Sequence, residues 1–140
     1  MPPKIGFIGK PEDWLRRAKG NLARARQTKP KEAFWEDLCF DAQQAAEKAI
    51  KAVLVFRRIE FRKTHDLRGL LTLLDSSGYP VPEAIKRADD LTDYAVETRY
   101  PGLSEPVGVT EYRDAIVLAE TVVRWAGEQI KSGKRRRKKS

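Results

Sequence analysis

From Lys31 to Arg57 the chain runs 27 residues without a glycine or a proline, and alanine recurs through the stretch. An interval of that kind has few structural solutions, because nothing in it breaks a helix and its commonest residue is the best helix former. Phe34, Leu38, Ala42, Ala45, Ala49, Ala52, Val53 and Phe56 fall at spacings of three and four, which makes one long apolar stripe. The small residues in that stripe let a neighbouring helix approach closely. Gln44, Glu47, Lys48 and Lys51 form a polar row at i, i+3, i+4 and i+7, for which a solvated helix face is the default reading.

The flanking segments repeat the helical pattern. Pro11 suits an early position of a first helix that reaches about Gln27, with Trp14, Leu15, Ala18, Leu22 and Ala25 on one side. Thr28, Lys29 and Pro30 end it. Thr64 or Asp66 can cap a short third helix that carries Leu67, Leu70, Leu71, Leu73 and Leu74 and stops before Gly78. A fourth helix is predicted from Ala84, Ile85, Ala88, Leu91, Tyr94 and Ala95, ending ahead of Pro101. Residues 101–109 read as a loop, after which Thr110 and Glu111 open a fifth helix with Ala115, Ile116, Ala119, Val122, Val123, Ala126 and Ile130. No strand-like alternation is sustained and no phosphate-binding glycine loop occurs. The expectation is all-α: an antiparallel up-and-down bundle of about five helices with short connections. Trp14, Phe34, Trp35, Tyr94, Tyr112 and Trp125 are available to its core.

The net charge of +8 narrows the possibilities once it is divided along the chain. Residues 131–140 hold seven Lys and Arg and no acid, which leaves 21 basic and 20 acidic residues in positions 1–130. We therefore expect an irregular arm over 1–10, a nearly neutral helical domain over 11–131, and a basic disordered tail over 132–140. Lys134, Arg135, Arg136, Arg137, Lys138 and Lys139 of that tail could meet nucleic-acid phosphates without sequence preference, or serve only solubility. No apolar run is long enough for a membrane span and no leader opens the sequence, so the expected location is cytoplasmic. Cys39 is the only cysteine and His65 the only histidine. That inventory supports neither a disulfide framework nor a thiolate metal site, so no metal and no cofactor is expected. Cys39 is assigned to the core.

Three blocks then form a recognisable set: Cys39-Phe40-Asp41-Ala42-Gln43-Gln44-Ala45-Ala46-Glu47-Lys48-Ala49-Ile50-Lys51-Ala52, Lys63-Thr64-His65-Asp66-Leu67, and Thr98-Arg99-Tyr100-Pro101. Behind an aromatic first helix beginning near Trp14, their order resembles the HEPN family over roughly residues 12–131. The resemblance implies a bundle of about five helices, a homodimer, and a minimal nucleotidyltransferase partner in prokaryotic two-component systems, often of toxin-antitoxin type. It also implies binding of a nucleotide or of RNA, which some members cleave with an Arg and a His separated by four to six intervening residues. Arg58 and His65 satisfy that spacing formally, and an imidazole base beside a guanidinium is a sound arrangement for cleaving RNA through its 2′-hydroxyl. In the nuclease members, however, the motif lies later, near the helix that ends here at Arg99, and counting on from Arg99 meets Ser104, Glu105 and Pro106 instead of a histidine. The first expectation is therefore a binding and interaction module, with Lys48, Lys51, His65, Arg99 and Tyr100 as nucleotide- or phosphate-binding candidates. A metal-independent ribonuclease acting through Arg58 and His65 is the alternative, and a purely scaffolding homodimer the third. For His65 the structural reading is a cap or a packing residue at the start of the third helix, and for Arg99 the satisfaction of helix-terminal carbonyls.

Overall fold

A computed structural model describes residues 9–95 and 106–139. Five α-helices follow in order: α1 Pro11–Arg26, α2 Trp35–Phe56, α3 Leu67–Ser76, α4 Glu83–Lys86 and α5 Val109–Lys139, with a 3₁₀ segment Arg87–Ala95 continuing α4. There is no β-strand among the described residues, and the architecture is the expected all-α bundle. None of the described helices is long and apolar enough to cross a membrane.

Helix α2 is the axis of the bundle. It packs chiefly against α1 and α5, and it also touches α3 and the 3₁₀ segment. Its alanines make that possible: Ala42, Ala45, Ala46, Ala49 and Ala52 are fully buried, so neighbouring helices sit close against its backbone. Cys39 lies among them, fully buried.

Helix ends follow local chemistry. Pro11 occupies the first turn of α1. α2 starts at Trp35, four residues later than Lys31, because Phe34 takes an extended conformation and its N–H donates to Asp37 Oδ2 at 2.9 Å. That position leaves Phe34 65% exposed, so it is not the core residue the periodicity suggested. α2 and α3 both close with a Schellman arrangement, in which the Ile59 N–H donates to the Leu54 carbonyl and the Tyr79 N–H to the Leu74 carbonyl. The left-handed residue is Gly78 in α3 but Arg58, at φ 58°, in α2. Asp66 precedes α3 as its N-cap residue, but its side chain makes no cap; Thr92 of the 3₁₀ segment supplies its Oγ1 to the Leu67 N–H instead.

Two departures bear on function. The fourth helix keeps α geometry for only four residues and tightens into the 3₁₀ segment, where Asp89, Asp90 and Asp93 crowd a short run that also holds Thr92. At the other end, α5 remains helical through Lys139, where the charge run had suggested disorder from residue 132. The added turns are anchored to the body. Lys134 pairs with Glu12, and Arg137 donates to the Phe56 carbonyl at 3.0 Å while its guanidinium stacks over the Phe56 ring.

Candidate functional site

The polar row on α2 is the first surprise of the packing. Gln43, Glu47 and Lys51 repeat at i, i+4 and i+8, and their exposures are 0%, 4% and 4%. A solvated face does not describe them. The segment after α2 folds back over this stripe and places Phe61, 2% exposed, in the core. Trp14 of α1 meets Phe61 edge-on, with ring centroids 6.3 Å apart. Lys51 Nζ lies 5.7 Å from the Phe61 ring centroid and 5.9 Å from that of Trp14, so two aromatic faces cover its ammonium.

Glu47 holds this network together. One carboxylate oxygen, Oε2, accepts from Lys51 Nζ at 2.9 Å. The other, Oε1, accepts from Gln43 Nε2 at 3.1 Å and lies 2.7 Å from His65 Nδ1. Burial pushes the Glu47 carboxyl up, but the charge of Lys51 and the hydrogen bonds from Lys51, His65 and Gln43 outweigh it and hold the group below its ordinary value. Glu47 is thus a buried anion at neutral pH, and the proton between it and the imidazole belongs on His65 Nδ1. Gln43 also reaches the His65 carbonyl at 3.4 Å and accepts from Gln44 Nε2 at 2.7 Å, which ties the segment before α3 to α2.

His65 is the part of this assembly that meets solvent. Its side chain is 54% exposed, and Arg62 and Lys63 beside it are exposed as well. An imidazole fixed through Nδ1 by a buried carboxylate presents Nε2 in one defined orientation. It can accept a proton there, or donate to an anion once protonated.

A second polar cluster ties α1 to α2. Lys48 Nζ donates to Asn21 Oδ1 at 2.7 Å, Asn21 Nδ2 donates to Asp41 Oδ1 at 3.3 Å, and Arg24 lies 3.4 Å from the same Asp41 oxygen. Desolvation, with help from Arg17 and Arg24, holds the Lys48 ammonium below its ordinary value.

The sequence-derived candidates therefore separate. His65 stands at the surface with an oriented ring. Lys51 is buried and committed to Glu47, and Lys48 is committed to Asn21, so neither ammonium is disposed to meet a phosphate. Arg58 is exposed on the left-handed turn after α2. Arg99 and Tyr100 lie outside the described residues. Of the tail residues, Lys134 and Arg137 face the body, while Arg135, Arg136 and Lys138 are exposed. The residues that sequence reasoning passed over are Gln43 and Glu47 as positioning groups, and Trp14 and Phe61 as the cover over Lys51. Their signal was present: three polar residues at i, i+4 and i+8 inside an alanine-rich helix share one stripe.

Comparison with known proteins comes to the same architecture. A family model described as "HEPN domain" matches residues 11–130. Among solved structures, the crystal structure of ST0689, described as an archaeal HEPN homologue, is similar with a TM-score of 0.69 and 30% sequence identity, over 88% of this chain and 99% of that one. A search of curated protein sequences returns no match.

Proposed function

The chain belongs to the HEPN family, and on that premise we propose that it is a binding and interaction module whose ligand is a nucleotide or RNA phosphate received at His65. One observation carries the proposal: the 2.7 Å contact between Glu47 Oε1 and His65 Nδ1, which fixes a half-exposed imidazole from behind with a buried carboxylate. Core histidines are not built this way. A ring that served only packing would be covered, and a buried Gln-Glu-Lys network is an expensive support for a residue without a ligand. Arg62 and Lys63 add positive potential beside it, which favours an anion.

As in the HEPN systems that the sequence resembles, the proposed setting is a prokaryotic pair in which a homodimer of this chain associates with a minimal nucleotidyltransferase, in the manner of a toxin and its antitoxin. Isothermal titration with AMP, ATP and a short RNA oligonucleotide tests the ligand. We expect binding that His65→Ala weakens at least tenfold. Gel filtration and co-purification with a nucleotidyltransferase encoded beside it test the assembly. A monomer with affinity for neither partner nor nucleotide would end this reading.

The same contact favours a second reading. With Nδ1–H bonded to Glu47, a neutral imidazole leaves Nε2 free to take a 2′-hydroxyl proton, which is the base that metal-independent RNA cleavage requires. Arg58 is the guanidinium at the stated sequence spacing. Cleavage of an RNA oligonucleotide by the purified protein, lost in both His65→Ala and Arg58→Ala, would establish this chemistry; cleavage indifferent to either substitution would remove it.

A further inference from the structure

The helical continuation of α5 creates a surface that neither the HEPN assignment nor the His65 site uses. α1 and α5 run side by side, with Arg26 paired to Glu120 at one end and Glu12 to Lys134 at the other. Between these pairs lies an open groove of about 610 Å³, which Glu128 also lines and whose rim carries the cations Lys19, Arg124 and Lys131. None of these three has an ion pair or hydrogen bond among the described residues. At 100° per residue, Arg124, Lys131, Arg135 and Lys138 fall within a narrow sector of α5, because their separations of seven, four and three residues each return to the same face. Arg137 and Lys134 fix that face outward: both are bonded to the body, so the helix cannot turn to present another side.

We propose that this stripe, together with Lys19 across the groove, docks the phosphate backbone of a nucleic-acid duplex. The stripe spans roughly 20 Å at the helical rise, and its nearest cations stand about 5–6 Å apart, comparable with the spacing of phosphates along a strand. Charge complementarity names the class of ligand, and the surrounding surface narrows it. Among the described residues, the exposed large apolar side chains, Phe34, Phe40, Val109 and Val117, all lie outside α1 and outside residues 124–138. The stripe therefore has no anchor for membrane insertion and no aromatic platform on which single-stranded bases could stack. A duplex recognised by backbone alone needs neither. This surface is independent of His65 and does not rest on the nucleotide reading.

Fluorescence anisotropy of the full chain with a 20-base-pair RNA duplex, the matching DNA duplex and the single strands, between 50 and 200 mM salt, tests the proposal. Five phosphate contacts give an expected fall in affinity of about 500-fold over that range. Arg135→Gln/Lys138→Gln and Lys19→Gln/Arg124→Gln should each weaken duplex binding about tenfold or more and reduce the salt slope by about two, while Arg87→Gln, at an exposed cation outside the groove, binds duplex as the parent does. All four positions are charged surface sites, and circular dichroism confirms that each variant is folded. Four results would overturn the proposal: the Lys19/Arg124 variant binding like the parent, single strands binding as tightly as duplex, an equal loss of duplex binding in Arg87→Gln, or preference for phosphatidylserine vesicles or polyglutamate over duplex.

Discussion

Glu47 Oε2 and Lys51 Nζ lie 2.9 Å apart, one turn along α2, with each side chain only 5% exposed. A pair so thoroughly withdrawn from water is weak in net stability but costly to break, because the surviving charge has no solvent to return to. Glu47→Gln leaves the buried Lys51 ammonium, which lies against Trp14 and Phe61, without its counter-charge. We expect a loss of about 3 kcal/mol in urea unfolding. Glu47→Gln/Lys51→Met removes both charges and should lose clearly less than Glu47→Gln alone. A double variant less stable than the single one would mean that the pair is not the coupled unit described.

The same carboxylate sets an acid dependence. Held below its ordinary value of 4.5 in the fold, Glu47 binds its proton less readily when folded than when unfolded. Its contribution is therefore complete above about pH 4.5 and declines as pH falls toward the folded value. Glu12 is also depressed by Lys134, but it is half exposed and adds little. Urea midpoints taken from pH 6 down to pH 3 should fall more gently for Glu47→Gln than for the parent. Parallel curves would contradict the placement of the charge.

The alanine stripe makes α2 legible in the sequence alone, since periodicity and propensity are properties of the helix itself. The burial of Gln43, Glu47 and Lys51 is not legible there, because it depends on where Trp14 and the segment holding Phe61 come to rest. A polar row at helical spacing reads the same whether water or another helix covers it. The end of α5 misleads for a related reason. Seven cations in ten residues resemble a disordered tail by composition, yet Glu12 and the Phe56 carbonyl, 122 and 81 residues distant in sequence from their partners, hold it as helix. His65 stands out in the sequence by its type alone, and its orientation comes only with Glu47.

Gly133 marks where that helical end meets the core. A Cβ at this position would stand 2.3 Å from Phe56 Cε2, far inside van der Waals contact, and the ring cannot swing freely because Arg137 stacks on it. Gly133→Ala should therefore destabilise by about 1–3 kcal/mol despite the better helix propensity of alanine. Phe56→Leu in the same chain should recover part of that loss, whereas Phe56→Leu alone should destabilise. Thermal unfolding of the three variants reads the coupling, and additive losses would remove the steric account.

Arg58 occupies the left-handed position that closes α2, at φ 58°, where a Cβ is disfavoured and glycine is at ease. The corresponding residue after α3 is Gly78. Arg58→Gly should raise stability by about 0.5–1 kcal/mol, read as a higher urea midpoint with an unchanged slope. The opposite sign would mean that the arginine side chain contributes more to the fold than the turn costs.

The sharpest test of the site uses the bond between Glu47 and His65 as a thermodynamic cycle. If Glu47 acts only through the orientation and charge of the imidazole, its effect on nucleotide affinity must vanish when the imidazole is gone. Glu47→Gln should weaken AMP or RNA binding severalfold in the parent and change nothing in a His65→Ala background, a coupling of about 1 kcal/mol or more. Gln at position 47 retains the shape of the side chain and one acceptor oxygen, so a neutral contact to Nδ1 survives while the buried negative charge does not. An equal loss of affinity from Glu47→Gln in the parent and in the His65→Ala background would assign Glu47 a purely structural role that does not pass through the imidazole.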